Sequence, residues 1–254
     1  MNIILVSREE LQGDLLTLGD RRAEHIVKVL RAAPGDSLRL GIVNGPRGRG
    51  RIQSLVKKFP FSVTLEVEWE EGGGRRPDLD LVLALPRPIM LRRILSQVAA
   101  LGVGTIHLIH ANRVEKSFWE AGVLEQEEWQ AHLLLGLEQA VDTLLPKVVL
   151  HPRFKPFIED FCPTLAGEHS LRLIADPSGA LPLARAPIPD QGRLLLAVGP
   201  EGGWVPYELA KFAEQGFLCC SFGSRILKVD TAIVALHAAV TALRQRQGEA
   251  PLPG

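Results

Sequence analysis

The chain has 254 residues with 29 basic and 29 acidic side chains, and its composition is 46% hydrophobic and 23% charged. These proportions exclude a disordered chain, and no window approaches the roughly 18 uninterrupted apolar residues of a membrane-spanning helix. Three cysteines without metal-ligand spacing argue against a disulfide scaffold or a zinc site. Because the opening residues turn acidic after a short apolar run, they do not resemble a secretory signal. We therefore expect a cytoplasmic protein with no membrane or metal partner.

The first seventy residues combine short strands with one helix. Alternating apolar residues predict strands at 37–43 and 61–69, whereas proline, glycine and arginine predict a loop or edge segment at 46–51. Apolar residues at helical spacing predict a helix over 23–30. Several short strands around one helix indicate a small barrel.

Positive charge is concentrated in this same region. Residues 1–60 carry eleven basic and six acidic side chains, although the whole chain is neutral. Such a basic module suits a polyanion such as RNA, because binding would release condensed counterions. The alternative is a solvated surface that happens to be basic.

An acidic, glycine-rich stretch at 70–77 resembles a linker and marks a change of pattern. The sequence therefore predicts a first domain over 1–72, a second over 76–247 and a flexible tail over 248–254. The second domain alternates strands with helices, which is the pattern of an α/β fold with a largely parallel sheet. Its predicted strands lie at 80–85, 105–109, 171–175, 194–198 and 218–222, and its predicted helices lie after 88, over 126–141, over 206–215 and from about 231.

The last of these helices has no charged residue between Thr231 and Arg244. A helix that is apolar all round is normally buried, so we expect it in a core or in a subunit interface.

Three predicted strands end in segments rich in glycine, proline and polar residues, at 176–179, 199–204 and 223–231. Ligands of open parallel sheets bind beyond the carboxyl ends of the strands, and glycine lets the backbone approach a ligand closely. Each segment alone could be a tight strand-to-helix turn. Three in succession favour a ligand site.

The sequence GPEGG at 199–203, followed by SFGSRILKVDTA at 221–232, resembles the carboxyl-terminal signature of the RsmE family of ribosomal RNA methyltransferases. Earlier segments are similar to that family in the same order, among them HIVKVLR at 25–31, Pro34-Gly-Asp36, Arg113 and Glu138-Gln139. The resemblance covers nearly the whole chain.

The resemblance implies an α/β SPOUT domain with a deep trefoil knot, preceded by a small PUA-like RNA-binding β-barrel. It also implies a homodimer that uses S-adenosylmethionine to methylate N3 of a uridine in 16S ribosomal RNA, free or in the small subunit. In SPOUT domains three knot loops hold the cofactor, and they correspond to the three strand exits. A knot is so rare that only the resemblance suggests it.

The chain departs from the family pattern in two places. Lys228, Val229 and Asp230 replace the family's arginine, threonine and glutamate, and residues 96–100 do not keep its Gln-Lys-x-x-Glu. Lysine keeps the charge but lacks the planar fork of arginine. A non-catalytic ribosomal RNA-binding or assembly factor is therefore the alternative function. An α/β enzyme that binds phosphate at the glycine turns is a weaker one, because no Walker or GxGxxG pattern is present in a suitable context.

Three residues are the candidate catalytic set. Uridine N3 must lose a proton, and negative charge then spreads to O2 and O4, so Arg225 and Lys228 could stabilise that charge or grip a phosphate. Asp230 could orient one of them or accept the proton, but a helix N-cap explains an aspartate equally well. Glu201 could hold its loop or meet the cofactor. Ile226 and Leu227 could instead be core residues.

The other candidates form two larger sets. The cofactor-binding set is Asp176, Pro177, Gly199, Glu201, Gly202, Gly203, Phe222, Gly223, Ile226, Leu227 and Thr231. The RNA-binding set is Arg21, Arg22, Lys28, Arg31, Arg47, Arg49 and Arg51, extended by Arg87, Arg92 and Arg93.

Overall fold

A computed structural model describes residues 2–72, 74 and 77–248, with side chains to residue 245. Contacts between residues divide the chain into two units, each described by itself below. The first comprises Met1–Arg76 and Leu134–Leu145, and the second comprises Pro77–Leu133 and Pro146–Gly254. The sequence predicts a single boundary near residue 75 and carries no signal that residues 134–145 belong to the first unit.

The first unit is a curled mixed sheet with one short helix. The strands run in the order β1-β4-β5-β6-β3-β2, parallel between β1 and β4 and antiparallel elsewhere. Leu40, Ile52 and Leu65 are buried in its core, with Ile26 of the helix. Its elements are β1 (Ile4–Val6), β2 (Leu11–Gln12), β3 (Leu15–Leu18), α1 (Arg21–Lys28), β4 (Ser37–Ile42), β5 (Arg47–Val56) and β6 (Ser62–Trp69).

The loop or edge segment expected at 46–51 is wrong, because these residues begin β5 inside the sheet. Glycines 48 and 50 face the core and the arginines between them face outward, so the alternation of a strand is present without apolar side chains. At Gly50 a Cβ atom would lie 2.6 Å from the Leu40 side chain, so the tight core selects glycine there. The glycines were mistaken for turn signals.

The second unit is built on a parallel sheet in the order β11-β13-β10-β12-β7-β8-β9. Strands β7 and β12 are buried along their whole length, as expected where helices cover both faces. The strands are β7 (Leu79–Ala84), β8 (Val103–Ile109), β9 (Lys147–His151), β10 (Leu171–Ala175), β11 (Leu181–Pro182), β12 (Leu194–Val198) and β13 (Leu218–Ser221).

The helices are α2 (Pro88–Ala100), α3 (Gln126–Ala140), the short α4 (Phe154–Pro156), α5 (Pro206–Glu214) and α6 (Val229–Gly248). Helix α6 packs against α2 and buries Ile233, Leu236 and Val240. Val229 and Asp230 in its first turn are buried as well, but its other residues up to 245 are exposed or half-buried in this single chain, so burial all round within the core is wrong. No helix in the described ranges is long and apolar enough to cross a membrane.

The expected α/β class is confirmed, and the predicted strands and helices of the second unit begin and end within a few residues of those observed. Strand β9 is absent from the sequence-based prediction. The predicted tail at 248–254 lies outside the described residues except for Gly248, which ends α6.

Candidate active site

The three glycine-rich segments meet at one edge of the second unit. Strands β13, β10 and β12 are neighbours in the parallel sheet, so their carboxyl ends lie side by side. The backbone N–H of Asp176 donates to the carbonyl of Cys220, 3.0 Å away, and joins the first segment to the end of β13, which the third segment follows. The order of the strands therefore brings together segments that are distant in the sequence.

The first segment, 176–179, is a turn closed by its own aspartate. The Asp176 carboxylate accepts hydrogen bonds from the Ser178 N–H at 2.8 Å and the Ser178 hydroxyl at 2.6 Å. A Cβ atom at Gly179 would lie 2.6 Å from the backbone carbon of Cys220, so only glycine fits. Asp176 thus shapes the turn, and Pro177 is exposed at its tip.

The second segment, which we call the glycine turn (199–204), follows β12 and precedes α5. Gly203 adopts a φ of 75°, and a Cβ atom at Gly202 would lie 2.9 Å from the Arg113 side chain. The Arg113 guanidinium donates to the carbonyl oxygen of Gly202 and holds the turn against the end of β8. The indole of Trp204 is buried against Gly199, and nothing in the described part of the chain accepts a hydrogen bond from its Nε1.

Glu208 fixes the helix that follows the glycine turn. It is only 1% exposed, and its two carboxylate oxygens accept from the N–H of Val205 at 2.9 Å and of Asn112 at 2.7 Å. Glu208 is not among the site residues predicted from the sequence. A glutamate at the third position of a helix is a capping signal, which could have revealed the bond to Val205 but not the one to Asn112.

In the structure the third segment comprises residues 222–228, between β13 and α6, and it is the most exposed of the three. Gly223 has a φ of 67°, and Arg225 and Lys228 are exposed. Ile226 is 86% exposed, so the alternative that it is a core residue is wrong, whereas Leu227 is half-buried. An isoleucine side chain left in water at the site is available to a ligand.

Asp230 lies at the base of this segment. Helix α6 begins at Val229, so Asp230 is inside the first turn and the N-cap interpretation is wrong in position. Its carboxylate still accepts the Thr231 N–H at 2.9 Å, and its other oxygen lies 3.2 Å from the Arg93 guanidinium. The partner is Arg93 of α2, not the expected Arg225 or Lys228.

A second ion pair joins the segment before α2 to the glycine turn. The Arg87 Nε lies 3.2 Å from the Glu201 carboxylate, although both side chains remain largely exposed. Arg87 and Arg93, which the sequence predicts to contact RNA, are thus paired with one carboxylate in the glycine turn and one in the first turn of α6. Neither pair is predicted from the sequence, because the paired residues are more than a hundred positions apart.

The remaining cationic candidates lie mainly in the first unit. Arg22 is largely buried between Glu10 and Asp20, so its charge is already neutralised. Arg21 forms a bidentate pair with buried Glu138, with a shortest distance of 2.6 Å. Lys28 pairs with Glu24 at 2.7 Å. Arg47 is exposed but lies 3.7 Å from the Asp142 carboxylate, and Arg31, Arg49 and Arg51 are exposed, as is Arg92 in the second unit.

The cysteines of the second unit are mostly buried. Burial raises the pKa of the Cys162 and Cys220 thiols to about 11, so both are protonated at neutral pH. Within the described ranges, no group of three histidine, cysteine or acidic side chains is placed to hold a metal ion.

A family model described as an RNA methyltransferase domain matches residues 75–241. A ribosomal RNA small subunit methyltransferase E from Treponema pallidum is 33% identical, covering 95% of this chain and 91% of its own length. The Bacillus subtilis protein of the same name is 25% identical over 91% of each chain. The crystal structure of a Neisseria gonorrhoeae ribosomal RNA small subunit methyltransferase E bound to S-adenosyl methionine superposes with a TM-score of 0.75, at 22% identity and over 97% and 98% of the two chains.

The glycine-rich loops and the matched domain define an RNA methyltransferase fold. Within that class, the chain belongs to the ribosomal RNA small subunit methyltransferase E family, which confirms the resemblance. The fold expected from it, a SPOUT-type domain after a PUA-like barrel, is confirmed as well.

Proposed function

We propose that this protein transfers a methyl group from S-adenosylmethionine to N3 of a uridine in 16S ribosomal RNA. Family membership supports ribosomal RNA methylation, and the observation that carries the proposal is the meeting of three glycine-rich loops at one sheet edge. The resemblance supplies the choice of N3.

The residues at this edge fit the proposed cofactor. Adenosine and a methionine-like chain are bound by backbone N–H and carbonyl groups that a ligand can approach closely. Gly179 and Gly202 pack closely against the Cys220 backbone and the Arg113 side chain, so a side chain at either position would displace its neighbour and change the shape of the loop. The unpartnered Trp204 Nε1 is a buried donor that needs an acceptor at the glycine turn. Exposed Ile226 and Phe222 offer apolar surface for the adenine ring.

When bound, S-adenosylmethionine supplies an electrophilic methyl group, and no metal is required. The protein must then align the uracil ring and stabilise the negative charge that develops on it. Arg225 and Lys228 are the exposed cations of the third segment and can face O2, O4 or a neighbouring phosphate. Asp230 is engaged with Thr231 and Arg93, so we assign it a positioning role at the base of this loop.

We infer that the exposed face of β5 contacts the ribosomal RNA. Arg47, Arg49 and Arg51 point outward from one strand, where cations spaced two residues apart can follow a phosphate backbone. Glu68 and Glu66 lie directly opposite Arg49 and Arg51 on β6, so this face is less positive than the arginines alone suggest. We also propose a cytoplasmic homodimer, with the unburied face of α6 as the surface that a second copy covers.

Calorimetric titration with S-adenosylmethionine tests the proposed cofactor site. Wild type should bind it, and Gly202→Val should lose binding because the side chain displaces Arg113 and distorts the glycine turn. Gly167→Val is the matched control, since a Cβ atom at exposed Gly167 meets nothing within 4 Å. Absence of binding by the folded wild type would leave the RNA-binding alternative as the better account.

A further inference from the structure

A second concave site lies beside the glycine turn, where strands β8 and β9 end. It is an open cavity of about 760 Å³, lined in part by His110, Trp119 and Phe154. The volume falls in the range of small-molecule sites and would accommodate a nucleotide. The proposed catalytic chemistry uses none of these residues.

The wall of the cavity is aromatic and held in place. The Trp119 Nε1–H donates a hydrogen bond to His110 Nδ1 at 2.8 Å, which orients the half-buried indole. Phe154 packs edge-on against Phe212 of the core, with ring centres 5.8 Å apart. Fixed aromatic rings at an open cavity are suited to stacking on a nucleobase.

The rim carries cations that are not already paired. Lys116 and Arg153 are exposed, and among the described residues neither forms a hydrogen bond or an ion pair through its side chain. Lys155 is compensated by Glu159, 3.8 Å away, and Asp160 adds one carboxylate to the lining. Cations beside stacking aromatics are typical of single-stranded nucleic-acid sites. The carboxylates can accept hydrogen bonds from the exocyclic amino group of a base.

Two contacts link the cavity to the glycine turn and to the helix that follows it. Arg113, three residues beyond His110, holds the glycine turn, and Phe154 contacts the ring of Tyr207 in α5 with ring centres 6.3 Å apart. An RNA strand that places one base at the glycine turn would therefore pass close to the cavity.

We propose that this cavity binds a nucleotide that flanks the target nucleotide in the RNA substrate. The base stacks against Trp119, and its phosphates lie between Lys116 and Arg153. The inference rests on the proposed function, because it assigns a second contact to the same RNA strand.

The test is binding of 16S ribosomal RNA to the full chain across a salt series, in the presence of S-adenosylhomocysteine. Trp119→Ala should weaken binding on the order of 10-fold or more, since stacking on an aromatic side chain is lost. Trp119→Phe should restore most of the affinity. Lys116→Ala with Arg153→Ala should lower the salt slope by roughly 1.4, about 0.7 for each phosphate contact with a single strand.

Matched substitutions separate the cavity from general charge loss. Lys147→Ala with Arg185→Ala removes one exposed lysine and one exposed arginine of the same unit, with Lys147 at the opposite end of β9 from Arg153. This control should leave the slope unchanged. An unchanged affinity for Trp119→Ala, or equal slopes for the two double variants, would overturn the inference. A nucleoside monophosphate that displaces RNA from wild type but not from Trp119→Ala would support the inference. A monophosphate that binds at Trp119 and leaves the RNA affinity unchanged would contradict it.

Failure of this inference and failure of the proposed function give different results. If wild type binds S-adenosylmethionine and methylates ribosomal RNA while the Trp119 variants bind RNA normally, only the cavity assignment is wrong. If wild type binds ribosomal RNA but not the cofactor, the proposed function is wrong.

Discussion

The amino-terminal and carboxyl-terminal ends of the parallel strands in the second unit form two edges of the sheet, and these edges differ in whether their charged groups are buried and paired or exposed. At the amino-terminal edge, Asp80 is 1% exposed and accepts hydrogen bonds from His169 Nε2 at 2.7 Å and from the Arg193 guanidinium, while its other oxygen accepts the Thr105 N–H at 2.7 Å. At the carboxyl-terminal edge, Arg225 and Lys228 are exposed, and Trp204 Nε1 finds no acceptor within the described residues. The amino-terminal edge buries a carboxylate that is paired within the protein, although Arg193 Nε and Arg172 Nη2 also lack partners among the described residues, whereas the carboxyl-terminal edge leaves two cations in solvent where a ligand can reach them.

The difference separates residues that hold the fold from residues that are free to act. Burial alone would raise the pKa of Asp80, but the hydrogen bond from His169 and the charge of Arg193 outweigh it and lower that pKa. Asp80 is therefore ionised in the folded protein, and its perturbed pKa reflects a structural network. A shifted pKa marks a functional site only where the group also faces a ligand.

Removing the charge at the amino-terminal edge is expected to give the largest effect. Asp80→Asn leaves Arg193 buried without its main partner, so the free energy of unfolding should fall by about 3–5 kcal/mol. Urea denaturation at pH 7 measures it. A loss below about 1 kcal/mol would mean that the network contributes little and would break the contrast between the two edges.

A second test of the structural groups uses the pH dependence of stability, through His107 of β8 and His151 of β9, whose ring nitrogens lie 3.1 Å apart. Burial lowers the pKa of His107 to about 4, with the adjacent His151 as a further cause, and burial also lowers the pKa of His151 to about 4. The unfolded chain takes up protons below pH 6.5 that the folded chain does not, so stability is kept above pH 6.5 and lost as pH falls towards 4. One such histidine contributes up to about 1.4 kcal/mol per pH unit.

His107→Leu should flatten this pH dependence in denaturation experiments between pH 4 and 6.5. The matched control His132→Leu, on α3, should leave the slope as in wild type. The contribution of Asp80 can be separated from that of the histidines. Because the pKa of Asp80 is lowered, the stability that it provides is lost only at pH values below the range of this experiment. If the free energy of unfolding changes with pH equally in wild type and in His107→Leu, His107 is not a source of the pH dependence.

The smallest effect on stability is expected at the carboxyl-terminal edge. Asp230→Asn keeps an acceptor for the Thr231 N–H and loses the charge that faces mostly exposed Arg93, so the change should stay below about 1 kcal/mol. If Asp230 acts by positioning Arg93, then Asp230→Asn and Arg93→Ala should slow methyl transfer by similar factors. The double variant should then be no slower than either single variant.

Single-turnover kinetics with bound RNA separate this role from proton transfer. A carboxylate that accepts the uridine proton would give a loss of roughly 10²–10⁴-fold in Asp230→Asn, with little change in Arg93→Ala. That outcome would return Asp230 to the catalytic set.

Much of the second unit could be predicted because its signals are local. A continuous apolar run identifies β12 to the residue, and a run interrupted only by Arg172 identifies β10, while glycine and proline mark the loops between them. Strand β9 is not predicted, because its five residues include a lysine and a histidine and are only half-buried or exposed, as expected for the outermost strand of a sheet. The glycines of β5 wrongly predict a loop at 46–51, because tight packing in the sheet, and not a turn, requires glycine at these positions.

The candidate site could be predicted as a set of loops but not as a set of contacts. Glycine content located the segments, whereas the pairs Arg87–Glu201 and Arg93–Asp230 depend on how α2 lies across them. Likewise, Glu138 is an ordinary polar residue of α3 by sequence, yet within the first unit it is buried and paired with Arg21. Pairings between distant segments arise from tertiary packing and leave no periodic signal in the chain.

The central claim is that the carboxyl-terminal edge transfers a methyl group to ribosomal RNA. The most direct measurement is a single-turnover reaction of the wild type with isotopically labelled S-adenosylmethionine and either naked 16S ribosomal RNA or small subunits. Nuclease digestion and mass spectrometry then locate the label. We predict label on N3 of a uridine in 16S ribosomal RNA. No transfer to either substrate by cofactor-bound protein, or label on a different atom or RNA, would contradict the account.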